Sequence, residues 1–322
     1  MLSVAAMNKT RLAPLALIGS VAALILVLAA CDHDKPPPST STSTSTSTST
    51  TSSTSTTTTS QPGGNSPVTP VRATDAGQDG ELSRYFGKHA SAFGLDLYAT
   101  TSVSDAKLTH AANVMAQYLD NDENGTVDDD AILAEMSAVD ATMVMARDDR
   151  ELEKSGFFDS DVIDSDRRFQ DLYAEETNPG ADEFDASLEE VLHLITTAGW
   201  ERVYPEAFGS EQASLLTQAM DVARGGTWNG PPPGANYPAG AWYTYDDFTC
   251  DYECMAVEYL YWGVTTLLGA QSDPGRCEEI SNEWRPCTPE QMRETDTLLA
   301  NLLEDSGYDW IPAVLPDGSY AS

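Results

Sequence analysis

The segment DASLEEVLHLITTA (185–198) carries our fold prediction, because it has the periodicity of an amphipathic helix. Within it lies EEVLH (189–193). Residues four apart share a helix face, so Glu189 and His193 can hold one cation while Glu190 lies beside them. The spacing therefore predicts a metal site with an adjacent general base, on a helix that Gly199 is expected to end.

The segments around this helix predict an α+β fold. Strands are expected at 93–103, 141–146 and 168–175. The first strand leads into a long helix that Ser104 caps. Later helices are expected at 211–224, 251–268 and 288–304. The predicted architecture is a small mixed sheet with a long backing helix and the 185–198 helix, followed by a mainly helical C-terminal lobe.

The composition is strongly acidic. The chain has 51 acidic against 17 basic residues and a formal charge of -34. A surface of this charge repels phosphate backbones, so nucleic acid is excluded as a partner. Simple solubility and adaptation to salty, calcium-rich surroundings both account for it.

The N-terminus has the features of an export signal. Lys9 and Arg11 precede an apolar run, 12–28, which ends in LAAC (28–31). This resembles a bacterial lipoprotein signal with its lipobox, the alternative being a plain transmembrane anchor. The resemblance implies that residues 1–30 are removed and that Cys31 carries the lipid. It places the protein in the bacterial cell envelope, attached to a membrane and facing the periplasm or the cell surface.

A flexible tether is expected after the lipidation site. Residues 39–60 are all Ser or Thr and cannot form a core, so 31–74 is assigned to the tether. Residues 75–322 then form the folded domain, with an N-terminal lobe at 75–200 and a helical C-terminal lobe at 201–322.

Four cysteines remain beside Cys31, and an even number in an exported protein favours two disulfides. Three pairings are possible. We favour Cys250 with Cys254 and Cys277 with Cys287, because both loops close locally. A zinc site made of all four is the alternative, although the spacing lacks paired C-x-x-C motifs.

The stretch DNDENGTVD (120–128) matches the first nine positions of an EF-hand loop. At the twelfth position Ala131 replaces the usual glutamate, so affinity should be weak unless Asp129, Asp130 or another segment supplies oxygens. The alternative is an Asx-rich turn that caps two helices without metal. The calcium ligands that the match implies are Asp120, Asp122, Asn124, the Thr126 carbonyl and Asp128.

The order of strand, long helix, strands, Glu-x-x-His helix and a second glutamate-bearing helix is similar to the zincin metallopeptidase domain. It resembles the gluzincin branch in particular, over about residues 90–270. That resemblance implies a third metal ligand on the downstream helix, at Glu258 in AVEYLYW (256–262). Glu253 is the weaker candidate because it lies nearer the helix start.

The resemblance also implies a mechanism. Glu190 would be the general base for a water on zinc held by Glu189, His193 and Glu258, with a peptide bond as substrate. The oxyanion donor would be one of Tyr243, Tyr245 and Tyr261.

One departure from the zincin pattern bears on the metal. Glu189 stands where zincins have their first histidine, which makes the ligand set harder and more negative. Such a site also suits manganese, iron or calcium, or a protein that has lost catalysis.

Two other interpretations of the chain were weighed. A di-iron bundle needs a second Glu-x-x-His, and the sequence has none. The rival class is a calcium-stabilised surface or binding lipoprotein, in which the aromatic loop 228–245 recognises a partner and the 185–198 helix is scaffold.

Overall fold

The structure, a computed structural model, describes residues 67–163, 165–180 and 183–321. They form an α+β protein with a five-stranded mixed sheet in the order β1-β2-β3-β4-β5. β1, β2 and β3 pair antiparallel, whereas β3, β4 and β5 pair parallel. The predicted α+β class and mixed sheet are confirmed. The strands are β1 (Arg72–Ala73), β2 (Lys88–Ala92), β3 (Leu95–Ala99), β4 (Thr142–Ala146) and β5 (Phe169–Tyr173).

The central strand β4 is covered on both faces. Met143 and Met145 belong to one apolar cluster, while Val144 and Ala146 belong to a second cluster on the opposite face. Side chains alternate between the faces of a strand, so a strand buried on both sides reads as a continuous apolar run. This is why the short strand at 141–146 was recognisable from the sequence.

The helices before the EEVLH segment lie around the sheet. Ser104 caps the long helix α2 by accepting a hydrogen bond from the Lys107 amide at 3.3 Å, as predicted, and α2 packs against β2 and β3. The other helices of this part were not predicted. The helices are α1 (Ala76–Asp79), α2 (Asp105–Leu119), α3 (Asp130–Ala138) and α4 (Asp149–Ser155).

The EEVLH helix, α5 (Ser187–Ile195), does not end at Gly199. It continues through a π-helical turn, Thr196–Trp200, into α6 (Glu201–Val203). A Cβ atom on residue 199 would lie 2.9 Å from Ile132 Cγ2. Glycine is therefore needed here for the close approach of α3, and the predicted helix end is wrong.

The C-terminal part is mainly helical. The predicted helix at 211–224 begins later, after Ser214, and the predicted helix at 288–304 is two helices separated at Asp296. The predicted helix at 251–268 is confirmed as α9, with Asp251 as its cap. The helices are α7 (Pro205–Phe208), α8 (Leu215–Arg224), α9 (Tyr252–Leu267), α10 (Pro274–Glu279), α11 (Pro289–Thr295) and α12 (Thr297–Leu303).

Two disulfides hold the C-terminal part together. Cys250 is bonded to Cys254, and Cys277 is bonded to Cys287. This is the pairing that local loop closure favours, and it replaces the alternative of a four-cysteine zinc site. Cys254 lies on α9 and Cys277 lies on α10, and both helices contribute residues to the site described below.

The folded chain begins earlier than the predicted boundary at residue 75. Val68 pairs with Ala92 in an isolated bridge, and β1 follows directly. The predicted signal peptide, Cys31 and the Ser/Thr stretch lie outside the described residues. Within 67–163, 165–180 and 183–321, no helix is both long and apolar enough to cross a membrane.

Candidate metal centre

The start of α5 is fixed by contacts with α2. His110 Nε2 lies 2.6 Å from Asp185 Oδ2, and Asp185 Oδ1 accepts a hydrogen bond from the Ser187 hydroxyl at 2.7 Å. One turn further along, the Tyr118 hydroxyl donates to the Leu188 carbonyl at 2.8 Å. These contacts set the position of the helix on which the EEVLH residues lie.

Three EEVLH residues lie close together, and Glu258 from α9 meets the far side of the imidazole. Potential ligand atoms of Glu189, Glu190 and His193 all lie within 4.8 Å of one another. Glu190 Oε2 is 3.4 Å from His193 Nδ1, and Glu258 Oε2 is 3.7 Å from His193 Nε2. The imidazole therefore lies between two carboxylates, and the group Glu189, Glu190 and His193 can hold a metal ion.

Glu253, the weaker candidate ligand, is not part of this cluster. It lies in the first turn of α9 and is half-buried, whereas Glu258 is 2 % exposed. Its pKa is raised by burial and by the charges of Asp251 and Glu211, which are not cluster residues. Of the two glutamates considered from the sequence, the structure brings Glu258 to His193.

The three candidate tyrosines differ in what their hydroxyls contact. The Tyr243 hydroxyl donates to the Met255 carbonyl at 2.8 Å and is already used. Tyr261 is fully buried, its ring lies edge-on to His193 at 5.7 Å between centroids, and its hydroxyl lacks a hydrogen-bond partner among the described residues. Burial raises the pKa of Tyr245 well above its usual value, and the charge of Glu258 adds to this. Of the three, Tyr261 contacts the cluster through His193, whereas the Tyr243 hydroxyl is committed elsewhere.

Burial dominates the electrostatics of the cluster. It raises the pKa of Glu258 to about 8 and raises the pKa values of Glu189 and Glu190 well above the usual range. It lowers the pKa of His193, which favours the neutral imidazole that binds metals. Buried carboxylates need a positive partner, and a divalent cation supplies one.

Two residues of the site were missed in the sequence. Gln170, on β5, donates from Nε2 to Glu190 Oε2 at 2.6 Å and so fixes that carboxylate. The charge of Arg276, on α10, lowers the pKa of Glu189 against the larger effect of burial. Gln170 could have been noticed in the sequence, because it is a polar residue within a strand that carries apolar side chains. Nothing local in the sequence marked Arg276.

A second acidic cluster lies in the EF-hand-like loop. Carboxylate oxygens of Asp120, Asp122 and Asp128 lie within 4.8 Å of one another, so this group too can hold a metal ion. Asp129 does not replace the missing twelfth ligand, because its Oδ1 caps α3 and its Oδ2 accepts from the Tyr204 hydroxyl at 2.5 Å. The side-chain oxygen of Asn124 accepts from the Thr126 amide at 3.0 Å.

The C-terminal tail packs against this loop. Asn121 Oδ1 accepts hydrogen bonds from the amides of Ala313 and Val314 at 2.8 and 2.9 Å. The Tyr320 hydroxyl donates to Asp120 Oδ2, one of the candidate calcium ligands. The loop is thus held both by the two helices that flank it and by the end of the chain.

Comparisons with known proteins give no family assignment. No protein-family model matches the chain, and no curated protein or solved structure matches it. The comparisons therefore give no support for the resemblance to zincins.

Proposed function

We propose that the chain is a metal-dependent hydrolase of the zincin type that acts on peptide bonds outside the cytoplasm. One observation carries the proposal: His193 Nε2 is buried without a hydrogen-bond partner and lies 3.7 Å from Glu258 Oε2. Two metal–ligand bonds of about 2.1 Å that meet at about 120° span this distance. A cation between the two atoms would satisfy the nitrogen and offset the buried carboxylate.

The residues have distinct roles in this proposal. Glu189, His193 and Glu258 are the metal ligands, and the metal, when bound, polarises a water molecule. Glu190 would serve as the general base; its Oε2 accepts from Gln170 at 2.6 Å and lies 3.4 Å from His193 Nδ1, so Oε1 is the oxygen left to take a proton.

The order of elements supports the zincin assignment. The long helix α2 lies behind the sheet, α5 follows β5, and the glutamate of α9 meets the histidine of α5. The replacement of the first zincin histidine by Glu189 makes the ligand set harder. The metal is therefore zinc or another divalent transition metal such as manganese or iron. The lipid anchor at Cys31 and the envelope location rest on the sequence alone.

Elemental analysis of the purified full-length protein tests the metal site. We expect one transition metal per chain in the wild type, lost in His193→Ala and in Glu258→Gln. Glu253→Gln is the matched control on the same helix and should keep the metal. Metal in Glu258→Gln, or none in the wild type, would contradict the proposal.

With metal present, a peptidase screen follows, in which Glu190→Gln should bind metal but be inactive.

We also propose that the loop 120–128 binds calcium in a structural role. The convergence of Asp120, Asp122 and Asp128 supports it. With the twelfth ligand replaced by Ala131, we expect a dissociation constant of about 10⁻⁴–10⁻³ M. If no transition metal is found, this site favours the rival class, a calcium-stabilised binding lipoprotein whose loop 228–245 recognises a partner.

A further inference from the structure

Buried polar atoms without partners are concentrated around His193. Seven buried side-chain nitrogen or oxygen atoms of the described residues lack a hydrogen-bond partner, and four of them belong to His193, Tyr261, Trp262 and Arg276. A buried polar group without a partner is costly, so such groups are rare in folded proteins. Four in one place indicate a binding site.

Tyr261, Trp262 and Arg276 form one continuous surface, here called the donor wall. Glu258, Tyr261 and Trp262 share a face of α9, because they are three and four residues apart. The rings of Tyr261 and Trp262 are 4.8 Å apart, and Arg276 Cζ lies 5.7 Å from the Trp262 ring. The donor wall therefore runs from the metal ligand Glu258 to the guanidinium of Arg276.

Phe184 also links Arg276 to the histidine. Arg276 Cζ lies 4.1 Å from the centroid of the Phe184 ring, which is 6.5 Å from the ring of Tyr261. Tyr261 in turn contacts the imidazole of His193. The guanidinium is thus connected to Tyr261 through Trp262 and through Phe184, and Tyr261 connects it to His193.

Arg276 is held so that one nitrogen stays free. Its side chain is 6 % exposed. Nε donates to Gln271 Oε1 at 2.8 Å, and Nη1 donates to Glu279 Oε2 at 3.2 Å. Gln271 donates one amide hydrogen to Thr265 at 3.0 Å, and the O–H hydrogen of Tyr261 has no acceptor among the described residues. Nη2 of Arg276 is left without a partner.

The chemistry of the donor wall selects an anion with two acceptor oxygens. Its three unpartnered groups are an O–H and two N–H donors, which can donate hydrogen bonds to a ligand. A guanidinium matches the planar carboxylate in geometry and charge. In a chain of charge -34, an anion binds only where a buried cation offsets the surrounding field.

We propose that the donor wall binds a carboxylate group of the substrate next to the metal centre. This inference extends the proposed function. It rests on that function in taking the bound ligand to be the substrate. The ligand class is a short peptide with a free carboxylate close to the scissile bond. The carboxylate comes either from the peptide C-terminus or from an acidic side chain. Glu189, which is half-buried, is the most exposed residue of the cluster.

Calorimetric binding of N-acetylglycine and of N-acetylglycinamide to the full-length protein tests the inference. We expect the acid to bind and the amide to bind at least about 10-fold more weakly, because a charged hydrogen bond is lost. Arg276→Lys and Tyr261→Phe should each weaken the acid and leave the amide unchanged. Arg293→Lys, an exposed arginine paired with Glu304, is the matched control and should change neither.

Equal binding of acid and amide, or binding unchanged in both Arg276→Lys and Tyr261→Phe, would overturn the inference. Tyr261→Phe removes only a hydroxyl and keeps the test valid if Arg276→Lys does not fold. The titration is repeated on chelator-treated protein, so carboxylate binding is judged separately from the metal. Where cleavage is found, peptides with a free C-terminus, with an amidated C-terminus and with an added acidic side chain distinguish the two sources of the carboxylate.

Discussion

Asp79 shows at the scale of one residue how a buried charge is stabilised in this acidic chain. Its two carboxylate oxygens accept hydrogen bonds of 2.8 and 2.7 Å from Arg72. The Tyr98 hydroxyl donates to it at 3.2 Å. The hydrogen bond from Arg72 is the main reason that the pKa of Asp79 is lowered to about 2.

Asp79→Asn should therefore destabilise the protein in a pH-dependent way. A folded-state pKa of about 2, against an ordinary value of 3.8, corresponds to about 2 kcal/mol of folding stability. Because the folded pKa is depressed, this contribution is present above about pH 4 and is lost as the pH falls towards 2. Urea unfolding at pH 7 and at pH 3 measures it.

Glu81→Gln is the control for Asp79→Asn. Glu81 and Arg84 form an exposed ion pair at 3.1 Å, so its loss should change the unfolding free energy by less than about 0.5 kcal/mol at either pH. An equal effect of Asp79→Asn at pH 7 and pH 3 would show that the carboxylate charge is not its source.

Individual residues of the metal centre were predictable to different degrees. Glu258 could be selected because a lone carboxylate in an apolar helix needs a partner, and the structure provides His193. The sequence alone could not exclude Tyr243 as the oxyanion donor. Its hydroxyl donates to the carbonyl of Met255, which belongs to another element. Arg276 could not be found, because its burial depends on the packing of Phe184 and Trp262 around it.

At the scale of elements, Asp296 explains why the predicted helix 288–304 is two helices. Its Oδ1 caps α12 by accepting from the Leu299 amide at 3.1 Å. Its Oδ2 accepts from Trp242 Nε1 at 2.7 Å and from the Tyr259 hydroxyl at 2.5 Å. One side chain therefore joins α12, α9 and the aromatic loop, and continuation of α11 would remove these bonds.

Asp296→Ala should cost about 2–4 kcal/mol of unfolding free energy, because it removes a helix cap and leaves the buried Tyr259 hydroxyl and the half-buried Trp242 Nε1 without a partner. Thr288→Ala is the matched control, since Thr288 only caps α11 and should cost about 1 kcal/mol. Chemical denaturation of the two variants beside the wild type gives both values. Equal losses would mean that the bonds to Trp242 and Tyr259 contribute nothing.

The sequence predicted some elements and missed others for physical reasons. β4 and β5 were found because their apolar pattern is local. β2, with the sequence KHASA, has few strand-forming side chains and is a strand because β1 and β3 pair with it. Glycine often ends helices, but the helix continues past Gly199. The close approach of α3 explains why residue 199 is a glycine.

At the scale of the whole molecule, the calcium loop connects distant parts of the chain. It joins α2 to α3, and the C-terminal tail is bonded to Asn121 and Asp120. Ordering the loop should therefore stabilise the helix pair and the tail together.

We expect 10 mM calcium to raise the stability of the full-length protein by about 1.4–2.7 kcal/mol, given a dissociation constant of about 10⁻⁴–10⁻³ M. The melting temperature should rise by about 3–10 °C in a thermal scan. Magnesium at the same concentration controls for ionic strength, and Asp122→Asn removes one ligand. A shift of the same size with magnesium or in Asp122→Asn would contradict a specific calcium site.

The sequence by itself determined the acidic charge, the α+β class, the helices at 105–119 and 252–267, and the local disulfide pairing. These follow from composition, side-chain periodicity, caps and short loops, which act over neighbouring residues. The tertiary structure decided which polar groups meet. The approach of α5, α9 and α10 brings Glu258 to His193 and places Arg276 nearby, and the tail reaches the loop at Asp120. Such contacts depend on the packing of the whole core, which local sequence signals do not specify.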